Sequence, residues 1–361
     1  MRESNKKIII AIEIVILIIL SSLLVIANLD KFENNFSQSL PPRDDSIKEN
    51  ELMDPITENV IEMIPQIEES TLLGYLQKLT SYGPHPTSRR IQSIISNRPI
   101  VGKFYDLPIE KVANYIYNEF ESMGLEVRYQ TWKEDLTFQN LRKPKYYPGW
   151  CIGNNIEATL PGMDKTSDKI FIFSAHYDSW QRSPGATDDS SGVAAILTIA
   201  KLMSQYEFNH TIRFVMFSGE EQGLLGSHSY VEESYNNNDN IIAALNADQI
   251  GGSKSVDENG NIWVIENEPS SWITEITINV SQRYSEYIGL EIIKLDISSG
   301  HRSDNINFWQ FNYDSIHYHE PIDHNKNIHS PQDTIENMDK AFLIKASRLI
   351  FATLAELAWD K

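Results

Sequence analysis

The sequence predicts an α/β chain: an α/β/α sandwich around a mostly parallel mixed sheet, preceded by one N-terminal transmembrane helix. Three observations carry that expectation. Short apolar runs such as KIFIFSA (169–175) and TIRFVMF (211–217) alternate with helical stretches such as 192–203, the order that builds a sheet covered on both faces. The 361 residues are 41% hydrophobic and 10% aromatic, enough for a sizeable core and too much for wholesale disorder. Residues 8–27 read IIIAIEIVILIILSSLLVIA, with Glu13 as their one charge.

Taken in order, residues 8–27 come first. At ~1.5 Å per residue, about 20 residues span the ~30 Å hydrocarbon core of a bilayer. Arg2, Lys6 and Lys7 precede them, favouring a cytoplasmic N-terminus and an external remainder. The competing reading is a cleaved signal peptide, with Val25-Ile26-Ala27 as the cleavage site. Either reading makes residues 1–29 an export signal, as anchor or leader. Residues 30–69 read as an acidic linker. Between 31 and 70, ten acidic residues stand against Lys31, Arg43 and Lys48, so −7 of the net −19 lies here. Pro41-Pro42, Pro55 and Pro65 interrupt any long helix, although a short one fits between Asp54 and Ile64.

The folded domain is expected over 70–361. Residues 72–82 have helical apolar spacing, stopped by Gly83-Pro84-His85-Pro86. Residues 109–123 repeat the pattern, with Val112, Ile116 and Phe120 on one face and Gly124 as the stop. Residues 125–129 alternate as a strand, while 89–106 fit neither template and read as a loop or insertion. Strands are expected at 169–175, 211–217 and 241–245, then at 262–265, 291–295 and 315–318, before an apolar helix over 341–359. In such sheets ligands gather beyond the carboxyl ends of the strands.

Composition narrows the chemistry. Fifty Asp plus Glu against 31 Lys plus Arg give a net charge of −19, a field that repels phosphate backbones and excludes a nucleic-acid binder. The one cysteine, Cys151, allows neither an internal disulfide nor a cysteine metal knuckle. Any metal must therefore sit on His, Asp and Glu.

Five places offer that donor set. They are His176-Tyr177-Asp178 after the 169–175 strand; Gly185-Ala186-Thr187-Asp188-Asp189-Ser190-Ser191-Gly192 entering a helix; Ser218-Gly219-Glu220-Glu221-Gln222-Gly223 after 211–217; Asn246-Ala247-Asp248; and His329-Ser330-Pro331-Gln332-Asp333-Thr334. Each alone reads equally as a cap, a turn or a solvated loop. Together they place carboxylates and two histidines at element ends, where one sheet edge gathers them. Carboxylates packed that closely take up protons unless a cation compensates them. Imidazole and carboxylate ligands suit zinc, and a shared carboxylate can bridge two ions ~3.5–4 Å apart. Residues i and i+2 share a strand face, so Asp178 can take the spare N–H of His176. Adjacent Glu220 and Glu221 point to opposite sides of an extended backbone, one toward metal and one toward water as a general base.

On these residues the chain resembles the zinc peptidases of family M28, which include bacterial leucyl aminopeptidases and glutamate carboxypeptidase relatives. The order H-x-D, D, EE, D, H and the flanking glycines all match, from about Ser70 to the C-terminus. The resemblance implies a zinc exopeptidase fold with two Zn2+ per chain. One ion falls to His176 and Asp248 and the other to Glu221 and His329, with Asp188 bridging. It makes Glu220 the general base that activates the water, has Asp178 orient His176, and suggests a cis Asp188–Asp189 peptide. The expected protein is a membrane-tethered, extracytoplasmic aminopeptidase acting on peptide substrates. The alternatives are a glutaminyl-peptide cyclotransferase with a single zinc on the same fold, and a non-catalytic receptor-like ectodomain. Ser303-Asp304-Asn305 departs from the family, whose members often carry Ser-Asp-His there; His301 is the candidate substitute. Arg182 and Arg302 are the candidates to meet a substrate carboxylate if the enzyme works from the other peptide end.

Overall fold

The structure, a computed structural model, describes residues 58–87, 89–90, 107–135, 150–252, 260–321 and 326–359, all within the unit Pro55–Lys361. In chain order the strands are β1 (Arg89–Arg90), β2 (Glu126–Asp135), β3 (Trp150–Leu160), β4 (Ile170–His176), β5 (Thr211–Phe217), β6 (Ile241–Ala247), β7 (Asn261–Glu266), β8 (Glu291–Asp296) and β9 (Ser315–His319). The α-helices are α1 (Glu58–Met63), α2 (Glu69–Thr80), α3 (Pro108–Ser122), α4 (Ser190–Met203), α5 (Leu225–Asn236), α6 (Ser271–Arg283), α7 (Asn305–Gln310) and α8 (Lys340–Trp359).

The nine strands form one sheet in the order β1-β3-β5-β4-β6-β9-β7-β8, with β2 also paired to β3. Alternation along β4 supplies both cores. Phe171, Phe173 and Ala175 enter the larger core with α2, α3, α4, α6 and α8, whereas Ile170 and Ile172 enter a smaller one with Tyr230, Val231 and Phe308 from α5 and α7. The sandwich is thus helix, sheet, helix, as expected. Every residue of β4 is buried, and truncating Phe173 to Ala there would cost ~3–5 kcal/mol. Helix α4 is buried at every position except Lys201, because it lies against the sheet, α2 and α8.

Four expectations change. The sheet is not mostly parallel: β4/β5, β4/β6, β6/β9 and β7/β8 pair parallel, while β1/β3, β2/β3, β3/β5 and β7/β9 pair antiparallel. The parallel strands are those that alternate with helices, whereas β2 and β3 run back along one another without a crossover. Strand β3 was not among the expected strands; its Asn155 bonds Gln130 Oε1 and the Gly226 carbonyl inside the protein. The acidic linker is also shorter than 30–69. Val60, Met63, Ile64 and Ile67 are buried in the larger core, so the packed domain includes Glu58 onward, twelve residues before Ser70. Arg89–Arg90 of the expected 89–106 loop pairs with Trp150–Cys151. Residues 91–106 and the apolar segment 8–27 lie outside the described residues. Among the described residues no helix is long and apolar enough to cross a membrane.

Candidate metal centre

Parallel pairing of β4 with β5 and β6 brings their carboxyl ends to one edge, and each ends in one of the expected segments. His176 is the last residue of β4, Ser218–Glu221 follow β5, and Asp248 follows β6. The N-terminus of α4 presents Asp188 and Asp189 to the same edge, and the loop before α8 supplies His329. Two glycines permit the approach. A Cβ on Gly192 would stand 2.5 Å from the Ala247 carbonyl oxygen and 2.6 Å from Asp189 Oδ2, so only glycine lets α4 start against β6. Gly219 has φ +80°, and a Cβ there would meet the Trp132 ring at 2.6 Å.

All five expected ligands converge. His176 Nε2 lies 3.1 Å from Asp188 Oδ1 and 3.4 Å from Asp248 Oδ1. His329 Nε2 lies 3.0 Å from Asp188 Oδ2 and 3.3 Å from Glu221 Oε2. Asp188 therefore offers one oxygen to each histidine. Donor atoms of His176, Asp189 and Asp248, and those of Asp188, Glu221 and His329, form two triads each within 4.8 Å. Asp189 joins the first triad by proximity, but its Oδ1 already accepts the N–H groups of Gly192 and Gln249 at 2.9 and 3.2 Å. It caps α4, and bridging geometry belongs to Asp188. The Asp188–Asp189 peptide is cis.

Asp178 does not hold His176 in the expected way. Strand alternation stops at His176, so the main-chain carbonyl of Asp178, 2.9 Å from Nδ1, accepts that bond, and the carboxylate stands 3.6 Å away. Asp178 Oδ1 instead accepts the main-chain N–H of Glu220 at 3.2 Å, tying the β4 and β5 exits together. A carbonyl only accepts, so Nδ1 carries a proton and Nε2 faces two carboxylates. The Glu220-Glu221 pair opens a turn, with the N–H groups of Gly223 and Leu224 bonded to the Glu220 carbonyl, rather than lying in an extended strand.

The residues present fit cations. His176 Nε2, Asp248 Oδ1, Glu221 Oε1 and Asp189 Oδ2 are all buried without a hydrogen-bond partner, an arrangement that stays stable only with positive charge among them. The proton equilibria express the same demand. Burial opposes charge on His176, yet Asp248, Asp178 and Asp188 outweigh it and hold its pKa well above the ordinary value. Hydrogen bonds to Asp188 and Glu221 raise His329 to about 10. Burial lifts Glu221 to about 7, and Glu220 and Asp189 well above the carboxylate range. Imidazole plus carboxylate donors are a zinc set.

Further side chains surround these ligands. Trp180 stacks on His329 with ring centroids 4.7 Å apart. Gln249, at φ +61°, reaches toward Asp188. Asp304 is wholly buried, with neither carboxylate oxygen hydrogen-bonded, and burial pushes it up to about 7. The adjacent Asn305 Nδ2 is likewise buried without a partner. His301 lies against Trp263 and His319, at ring distances of 5.1 and 5.9 Å. His317 and His319 are buried on β9. A single sequence carries no signal for these contacts, which join residues far apart in the chain.

Comparison with known proteins agrees with this geometry. The chain is 39% identical over 110 residues to a probable zinc metalloprotease of Pyrenophora tritici-repentis, covering 28% of this chain and 25% of that protein. It is 29% identical over 219 residues to aminopeptidase YwaD of Bacillus subtilis, covering 59% of this chain and 46% of that one. The chain thus spans between a quarter and a half of the length of these two relatives. In fold it resembles the LapA aminopeptidase of Legionella pneumophila, with a TM-score of 0.65, 20% identity, and coverage of 85% of this chain and 77% of that one. It also resembles a Bacteroides thetaiotaomicron glutaminyl cyclase, with a TM-score of 0.62, 17% identity, and coverage of 82% and 99%. Residues 155–354 match the peptidase family M28. With more than half of its length inside that match, and with the histidine and carboxylate order of the family gathered at one sheet edge, the chain belongs to peptidase family M28.

Proposed function

We propose that this protein is a two-zinc aminopeptidase that removes N-terminal residues from peptides, tethered to the membrane by residues 8–27 with its catalytic domain outside the cytoplasm. The observation that carries the reading is Asp188, whose two carboxylate oxygens lie 3.1 and 3.0 Å from His176 and His329. A carboxylate shared in this way suits two cations side by side, with His176 and Asp248 holding one, and Glu221 and His329 the other. Such ions supply Lewis-acid polarisation of the scissile carbonyl and lower the pKa of water.

The chain's own residues supply the rest. Burial gives the Glu220 carboxyl a raised proton affinity, the property of a group that takes a proton from attacking water and returns it to the departing amine. The Glu220 main-chain N–H is held by Asp178 Oδ1. His176 is held in one tautomer by the Asp178 carbonyl. Substrate with a free α-amine is favoured by the acidic surroundings, where Asp188, Glu221 and Asp248 can pair with an ammonium. The apolar length of residues 8–27 and the preceding basic residues support the tether.

The glutaminyl cyclase likeness supports a second reading, a single-zinc cyclotransferase on this fold. Donor groups that fall into two separate triads favour two ions over one. The test is the metal content of the purified full-length protein together with an aminoacyl chromogenic panel. Two zinc ions and chelator-sensitive release from free-amine substrates are expected. One ion with ring closure of N-terminal glutamine would establish the cyclase instead, and no metal with no turnover a binding ectodomain.

A further inference from the structure

We propose that Trp180 is a positioning residue for the second metal, its indole fixing the imidazole plane of His329. The inference rests on the two-zinc reading above and concerns how that site is built. The two histidines are held by different means. His176 is fully buried and is oriented by the bond from its Nδ1 to the Asp178 carbonyl. The His329 side chain is 44% exposed and sits in a loop at φ +57°. Its contacts among the described residues are Asp188, Glu221 and the face of Trp180, with ring planes 18° apart and centroids 4.7 Å apart. An exposed imidazole without a hydrogen-bonded Nδ1 can swing about its Cβ–Cγ bond, and a stacked ring removes that freedom.

Trp180 is itself anchored. The neighbouring Ser179 exchanges hydrogen bonds with the His85 main chain, and the Trp180 carbonyl accepts the Ser183 N–H at 3.0 Å. The indole belongs to the same β4 exit that carries His176, so one short segment orients a ligand of each ion. An imidazole bound to a cation is electron-poor, and the electron-rich indole face is a favourable partner for it. Partners that orient a metal-bound histidine typically contribute 10–100-fold to metal affinity.

The test is calorimetric titration of Zn2+ into chelator-stripped full-length protein, for wild type, Trp180→Ala and Trp180→Phe. The expected result is two binding events in wild type, with one unchanged and the other weakened about 10-fold in Trp180→Ala, and most of that loss restored in Trp180→Phe. Two unchanged events in Trp180→Ala, or equal weakening of both, would overturn the role of Trp180 while leaving the two-zinc reading intact. Fewer than two ions in wild type would overturn that reading and this inference with it.

Discussion

The carboxylate of Asp333 accepts the main-chain N–H of Asp188 at 3.2 Å and that of Thr187 at 2.8 Å. It thereby joins the loop that carries His329 to the residue that lies between both histidines. Burial pushes Asp333 up to about 6, while the N–H groups of Thr187 and Asp188 oppose that rise. Asp333→Ala leaves three buried donors, the N–H groups of Thr187 and Asp188 and the Ser183 hydroxyl, without this acceptor and should destabilise the domain by ~1–3 kcal/mol. It should also weaken zinc binding. Urea unfolding of the metal-free and zinc-loaded variant checks this, and an unchanged midpoint would refute the anchoring role.

Glu220→Gln removes a proton carrier and keeps the side chain's shape. Turnover of an aminoacyl substrate should fall ~10²–10⁴-fold while bound zinc stays at the wild-type level. Steady-state kinetics beside metal analysis would separate the two, and full turnover would remove Glu220 from the chemistry.

His329→Ala and Asp188→Ala should differ in stoichiometry. His329 lies against Asp188 and Glu221, so its loss should leave about one ion per chain. Asp188 faces both histidines, so its loss should deplete both. Equal metal content in the two variants would rule out the bridge.

Gly192→Ala should destabilise the domain by ~1–3 kcal/mol, since the new methyl would stand 2.5 Å from the Ala247 carbonyl oxygen. Thermal unfolding measures the loss. A wild-type melting temperature would show that α4 can withdraw from β6 without penalty.

Acid stability should depend on Glu157, away from the metal centre. Burial raises its pKa, but Arg128 at 2.8 Å, Arg213 and the Tyr230 hydroxyl more than offset this, and the net shift is downward from 4.5. A carboxylate with a depressed folded pKa adds stability that is complete above its unfolded value and is lost as pH falls through the folded one. The stability advantage of wild type over Glu157→Gln, about 1–3 kcal/mol near neutrality, should therefore narrow below pH 4.5. A gap constant down to about pH 3 would contradict the ion-pair account.

Much of the centre was legible because its residues come in short runs at element ends. The strand over 169–175 and the His176 after it follow from local apolar pattern, and the structure bounds β4 at Ile170–His176. Strand β3 was not legible, since its polar Asn155 is satisfied only by Gln130 and Gly226, residues distant in sequence. The same holds for the burial of Val60 and Ile64, whose apolar partners lie in α8 and elsewhere in the core. Asp178 shows the limit of periodicity: alternation assigned its carboxylate to His176, but the strand ends at His176, two residues short of Asp178.

By itself the sequence determined the alternating α/β order, the acidic balance and the donor types that a metal would meet, because these follow from local pattern and residue chemistry. Only the tertiary structure decided that Asp188 faces both histidines, that the Asp178 carbonyl fixes His176, and that Trp180 covers His329. Those relations depend on the register of parallel strands and on loops returning from distant parts of the chain, and side-chain periodicity along one element carries no information about either.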